Sequence, residues 1–156
     1  MRVGQGFDVH RFTDDPARRL VLGGCEFPDE PGLAGHSDAD VVAHAVADAL
    51  LGAAGLGDIG QHFPDRDPRW AGADSIGLLR EVRRMLGEAG WATTNVDCNV
   101  VCERPALAPR REEMEARLAD ATGAPVSIKG RRAEGLGAIG RGEGIACWAV
   151  ALVART

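Results

Sequence analysis

The stretch Asp38-Ala39-Asp40-Val41-Val42-Ala43-His44-Ala45-Val46-Ala47-Asp48-Ala49-Leu50-Leu51-Gly52-Ala53-Ala54, closed by Gly55-Leu56-Gly57, sets how the rest of the chain is read. At about 100° per residue, Ala45, Val46, Ala49 and Ala53 cluster around Val42 on one side of a helix. Val41, Ala47 and Leu51 lie on the other side. Asp40, His44 and Asp48 form the only polar stripe, one turn apart. A helix apolar nearly all round is buried on both faces, so its polar stripe is expected to face a site and not bulk water. Gly55 ends the helix, and Ser37 reads as its N-cap.

Outward from this helix, residues 1–12 and 19–27 read as strands, with Thr13 to Arg18 as the turn between them. Asp58 to Asp67 is irregular and punctuated by prolines. Ala73 to Ala89 reads as a second helix stopped by Gly90, and Trp91 to Glu103 as a Val- and Thr-rich strand. Pro109 to Thr122 is a third helix with Pro in its first turn. Val126 to Lys129 and Ile145 to Val153 are strands, joined by a glycine-rich connection from Gly135 to Gly144. Strands interleaved with helices give an α/β (α+β layered) fold. No linker or repeat divides residues 1–156, so one domain is expected.

The chain has 18 Lys plus Arg against 23 Asp plus Glu, a net charge of -5. That balance argues against a nucleic-acid or anionic-membrane surface. Aromatics are 4% of residues, too few for a base-stacking platform. The longest apolar run, Ile145 to Ala154, is about half a membrane span. Met1-Arg2-Val3-Gly4 opens into strand-like sequence without a signal-peptide pattern. Cys25, Cys98, Cys102 and Cys147 form no CxxC pair and read as small core residues. A cytoplasmic protein with reduced thiols is the expectation.

Two constellations carry chemistry. Asp8 and His10 share one face of the first strand, because side chains alternate across a strand. With His44 from the helix they could hold one Zn²⁺, leaving the fourth tetrahedral position open. The plainer reading is that D-x-H is a common pair and that His44 satisfies another group. The second is Gly35-His36-Ser37-Asp38, a helix start that could seat a phosphate, with His36 as a donor; the plainer reading is capping alone. A third pattern, Gly135-Leu136-Gly137-Ala138-Ile139-Gly140, matches the dinucleotide fingerprint only in form. It does not open a βαβ unit, since the residues after Gly140 read as a strand. Gly140-Arg141-Gly142-Glu143-Gly144 reads as a tight bend whose Arg141 and Glu143 could pair across a subunit axis.

Together, these residues resemble the 2-C-methyl-D-erythritol 2,4-cyclodiphosphate synthase family. The resemblance rests on Gly4-Gln5-Gly6-Phe7-Asp8-Val9-His10, His36-Ser37-Asp38-Ala39-Asp40-Val41 with His44, and Asp48 through Gly60. It continues through Phe63-Pro64-Asp65, Gly72-Ala73-Asp74-Ser75 and Gly140-Arg141-Gly142-Glu143-Gly144-Ile145-Ala146, in colinear order over nearly the whole chain.

The resemblance implies a mixed β-sheet with helices packed on one side, assembled as a homotrimer with active sites between neighbours. It implies Zn²⁺ on Asp8, His10 and His44, and a terminal phosphate on His36 and Ser37. Asp65, Phe63 and Ile59 would surround the methylerythritol part, and Asp58 and Gly60 would contact the ribose. Cys102 to Leu107, including Pro105 and Ala106, would line a cytosine pocket. Glu134 would hold a second divalent cation, Mg²⁺ or Mn²⁺. The implied reaction is attack of the substrate's 2-phosphate on the β-phosphorus of its own cytidine diphosphate arm, with loss of CMP.

Two positions depart from the family pattern. Ala106 stands where Lys is common, and Arg131-Arg132-Ala133 stands where a Thr run is common. Arg131 and Arg132 could replace the lost phosphate donors, since a guanidinium forks onto phosphate. They could equally obstruct the nucleotide. Two further readings therefore stand beside the synthase. One is a diverged trimeric paralogue that binds a nucleotide or diphosphate. The other is a Zn²⁺ hydrolase, whose only evident bases are Asp40 and Asp48.

Overall fold

The computed structural model describes all residues from Met1 to Thr156. Six strands are β1 (Arg2–Arg11), β2 (Arg19–Leu22), β3 (Cys25–Pro31), β4 (Trp91–Val101), β5 (Val126–Arg131) and β6 (Gly144–Arg155). Five helices are α1 (Val41–Ala54), α2 (Ile59–His62), α3 (Ser75–Glu88), α4 (Arg111–Thr122) and α5 (Gly137–Gly140), and short 3₁₀ turns cover Pro68–Trp70 and Ala108–Arg110. The main sheet has the order β1-β6-β4-β5; β6 is antiparallel to both neighbours, and β4 and β5 run parallel across the α4 crossover. β2 and β3 form a separate hairpin. The expected strand at 19–27 is thus two strands, because Gly23 and Gly24 take positive φ and turn the chain back.

α1 lies directly on β1 and β6. Gly4 and Gly6 make this approach possible: a Cβ at Gly4 would stand 2.0 Å from Ala49 O, and one at Gly6 1.9 Å from Ala45 O. Both faces of α1 are buried, as its pattern required. Leu51, Val41 and Ala47 are covered within the chain itself and need no second subunit to cover them. The unpaired apolar surface lies elsewhere, on the sheet face opposite the helices. Phe7, Val9, Trp148 and Val150 are exposed there, with the rings of Phe7 and Trp148 4.7 Å apart. A cluster of 39 buried residues fills the space between sheet and helices.

The start of α1 differs from expectation. Its N-cap is Asp40, not Ser37. Asp40 is fully buried; its Oδ1 accepts from Val42 N and Ala43 N, and also from Gly23 N at 2.8 Å, while Oδ2 accepts from Gly24 N at 2.7 Å. One carboxylate therefore caps the helix and pins the β2–β3 turn onto it. The free N–H groups that would have seated a phosphate at the helix start are already used. Helix boundaries elsewhere shift by one or two residues, the usual uncertainty of frayed ends.

Candidate functional site

β1 and α1 bring Asp8, His10 and His44 together. Asp8 Oδ2 lies 2.9 Å from His10 Nε2 and 3.0 Å from His44 Nδ1, and those two nitrogens are 3.4 Å apart. All three side chains are at most a quarter exposed. A tetrahedral Zn²⁺ with arms of ~2.0–2.1 Å has ligand-to-ligand edges of about 3.3 Å, so the triangle needs to open by only a few tenths of an ångström. The outer ring nitrogens are held as metal-bound imidazoles require. His10 Nδ1 donates to Ala34 O at 2.7 Å, which leaves Nε2 with its lone pair. His44 Nε2 lies 2.8 Å from Ser75 Oγ and 3.1 Å from Ser37 Oγ. The donor set fits a divalent metal.

Without a cation the Asp8 carboxylate accepts from His10 and His44. Burial pushes the Asp8 carboxyl up, but its hydrogen bonds to His10 and His44 and their charge outweigh burial and hold it well below the usual carboxylate range. Burial pushes the His10 imidazole down, but its hydrogen bond to Asp8 and that carboxylate's charge outweigh burial and leave it above its ordinary value.

The triad forms one wall of a cavity of about 250 Å³, whose lining also includes His36, Ser37, Ile59, Gly60, Phe63 and Asp65. His36 and Ser37 thus reach the expected cavity even though they do not cap α1. Gly35 of the same segment lines it, and so do Trp70 and Leu78, which the sequence did not single out. Asp58 does not line it; it caps α2 and accepts from Gln61 N and Gln61 Nε2. The rest of the polar stripe turns away from the cavity as well. Asp40 is the helix cap, and Asp48 accepts from Ile59 N at 2.8 Å, with burial pushing its carboxyl up. Neither is left as a base for a metal-bound water.

A second cavity, about 320 Å³, is lined by Cys102, Pro105, Ala106, Leu107, Arg131 and Arg132, together with Glu103, Lys129 and Arg111. It shares no residue with the first. Arg111 extends the basic wall and was missed because it reads as an ordinary first-turn helix residue. Lys129 pairs with Asp97 across the parallel β4–β5 register. Glu134 and Arg141 line neither cavity. Glu134 is exposed on a turn at φ 53°, and Arg141 pairs with Glu143 of its own chain at 2.6 Å. All four cysteines are free and buried, and burial pushes the Cys102 thiol up to about 11.

The chain matches the YgbB family over residues 1–154. It is 59% identical to the 2-C-methyl-D-erythritol 2,4-cyclodiphosphate synthase of Rubrobacter xylanophilus, over 99% of this chain and 95% of that protein. It is 56% identical to the bifunctional enzyme IspD/IspF of Anaeromyxobacter dehalogenans over 98% of this chain; there it spans only 40% of the relative's length. Its fold superposes on the CDP complex of IspF from Plasmodium falciparum with a TM-score of 0.85 at 31% identity, covering 99% of this chain and 96% of that one. The chain belongs to the YgbB family, the family of the 2-C-methyl-D-erythritol 2,4-cyclodiphosphate synthases.

Proposed function

We propose that the chain converts 4-diphosphocytidyl-2-C-methyl-D-erythritol 2-phosphate to 2-C-methyl-D-erythritol 2,4-cyclodiphosphate and CMP, a lyase step of isoprenoid synthesis. The observation that carries this reading is the convergence of Asp8, His10 and His44 on one cavity with His36, Ser37 and Asp65, in a chain of this family. An oxygen of the 2-phosphate forms a bond to the β-phosphorus, and the bond from that phosphorus to the oxygen bridging to the α-phosphate breaks. CMP leaves with the electron pair. The nucleophile is already anionic, so the chain needs no base; it must fold the substrate back and offset charge.

Asp8, His10 and His44 would hold Zn²⁺, and Glu134 would offer one carboxylate to a Mg²⁺ or Mn²⁺, the two cations supplying positive charge to the reacting phosphates. His36 and Ser37 donate to the 2-phosphate side. Phe63 and Ile59 cover the carbon skeleton, and Asp65 accepts from its hydroxyls. In the second cavity, Arg131 and Arg132 hold the diphosphate and Cys102 to Leu107 enclose cytosine.

The two cavities share no residue, and Phe7, Val9, Trp148 and Val150 form an exposed apolar face. Both features support a homotrimer in which neighbours complete each other's sites. No helix is long and apolar enough to cross a membrane. Four free thiols suit the cytoplasm. The test is incubation with the substrate and Mg²⁺, with assay of CMP and the cyclic product. Tight cytidine diphosphate binding without turnover would favour the diverged paralogue, the reading that Ala106, Arg131 and Arg132 support.

A further inference from the structure

His44 can offer Nδ1 to a cation shared with Asp8 and His10 only when its ring proton sits on Nε2. Two hydroxyls face that nitrogen, Ser75 Oγ at 2.8 Å and Ser37 Oγ at 3.1 Å. A serine hydroxyl both donates and accepts, so neither would fix the ring by itself. Asp38 removes the choice at Ser75. Its Oδ1 stands in hydrogen-bond contact with Ser75 Oγ, and its Oδ2 accepts from Ser75 N at 3.0 Å. A carboxylate only accepts, so the Ser75 proton goes to Asp38. Ser75 Oγ then turns a lone pair, and nothing else, toward His44. Ser75 is 1% exposed, which leaves no room for water to compete. Asp38 is itself held: Oδ1 also accepts from Asp40 N at 3.1 Å, and its own N–H donates to Ala73 O at 3.0 Å.

We propose that Ser75, oriented by Asp38, is a positioning residue: by accepting from His44 Nε2 it favours the tautomer whose Nδ1 lone pair can join Asp8 and His10 on a cation. The inference rests on the metal reading above. It has a second consequence for Ser37, whose Oγ accepts from Ala39 N at 3.1 Å. Ser37 has no acceptor in His44 once Nε2 is protonated, and Ser75 Oγ is 3.4 Å away. Its proton is left for an anionic oxygen in the cavity. Ser75 opens α3 while His44 lies on α1, so the packing of the two helices sets the ligand geometry.

The experiment uses ¹⁵N-labelled protein with equimolar Zn²⁺, because without a cation the Asp8 carboxylate itself accepts from His44 Nδ1. Two-bond ¹H–¹⁵N spectra report which ring nitrogen carries the proton. Wild type is expected to show His44 as Nε2–H, and Ser75→Ala, which holds the cation less tightly, to show a mixture with Nδ1–H. His62, whose Nε2 lies 2.7 Å from Leu56 O, serves as the internal reference for an intact fold. In parallel, Co²⁺ is titrated and its visible d–d absorption followed. Ser75→Ala should weaken Co²⁺ binding about 10–100-fold and shift the band, and Ser75→Thr should restore both. His44 as Nδ1–H in wild type overturns the proposal, whether or not the alanine variant folds. A folded Ser75→Ala with unchanged tautomer and unchanged Co²⁺ affinity overturns it as well. Wild type that takes up neither Zn²⁺ nor Co²⁺ overturns the metal reading, whereas wild type that binds them no more tightly than Ser75→Ala overturns the relay alone, so the two fail separately.

Discussion

His10 Nε2 and His44 Nδ1 stand 3.4 Å apart, one on β1 and one on α1, and both face the same Asp8 oxygen. Three lone-pair donors this close repel one another unless a proton or a cation sits among them. Removing one should abolish metal binding more than it disturbs the fold. His44→Ala is expected to drop bound zinc from about one per chain to near zero, measured by elemental analysis. Full zinc in that variant removes His44 from the site.

The same cluster sets a pH dependence. The Asp8 carboxyl is held low in the fold, so its contribution is present above about pH 3.9 and is lost as pH falls through the folded value. His10 is raised, so its contribution is full below about pH 6.5 and is lost as pH rises through the folded value. Metal-stripped protein should therefore be most stable between about pH 4 and 6.5. Zinc reverses the upper limb, because ligation needs deprotonated imidazoles. Thermal midpoints with and without chelator should diverge steadily from about pH 6 to 8. A constant gap over that range would count against the histidines as ligands.

Gly6 is the closest approach of β1 to α1. Gly6→Ala would place a Cβ 1.9 Å from Ala45 O and 2.7 Å from Ala49 N, so helix and strand must separate. Destabilisation of about 3 kcal/mol or more is expected, at or above the top of the usual overpacking range. Denaturant unfolding measures it directly. A loss under about 1 kcal/mol would mean that α1 shifts without cost.

Arg131 and Arg132 line the second cavity without a carboxylate partner. A charge-assisted contact contributes about 1.5–3 kcal/mol. Arg131→Ala or Arg132→Ala should weaken cytidine diphosphate binding by about one to two factors of ten, at about 1.4 kcal/mol per factor. Calorimetric titration reads the affinity, and zinc content should stay unchanged. Tighter binding in both variants would identify the arginines as obstacles.

Trp148 and Phe7 head the exposed face of β6 and β1. Wild type is expected to run as a trimer by light scattering, and Trp148→Glu, which places a charge on that face, as a monomer with an unchanged far-ultraviolet spectrum. Activity should fall with the trimer if neighbours complete the site. A wild-type monomer that is fully active would remove the shared-site reading.

Much of the architecture was legible because it is written in local periodicity. The all-round apolar pattern of Val41 to Ala54 required a doubly buried helix, and α1 is one. The alternation of Asp8 and His10 placed both on one face, and the candidate metal-holding group with His44 follows from it. The glycines from Gly135 to Gly140 lead into a single helical turn and then β6, not into the helix of a βαβ unit.

Local pattern did not determine where each polar group finds its partner. Asp40, His44 and Asp48 share one stripe, yet Asp40 satisfies Gly23 and Gly24 on another hairpin, Asp48 holds Ile59 N, and only His44 reaches the cavity. Ser75 and Asp38 carried no role in the sequence because their meaning is a contact 37 residues long. Periodicity reports which face a side chain takes and therefore where apolar burial goes, because burial needs no particular partner. A hydrogen bond needs one donor and one acceptor in register, and only the packing of α1, α3 and the β2–β3 turn against one another brought those pairs together.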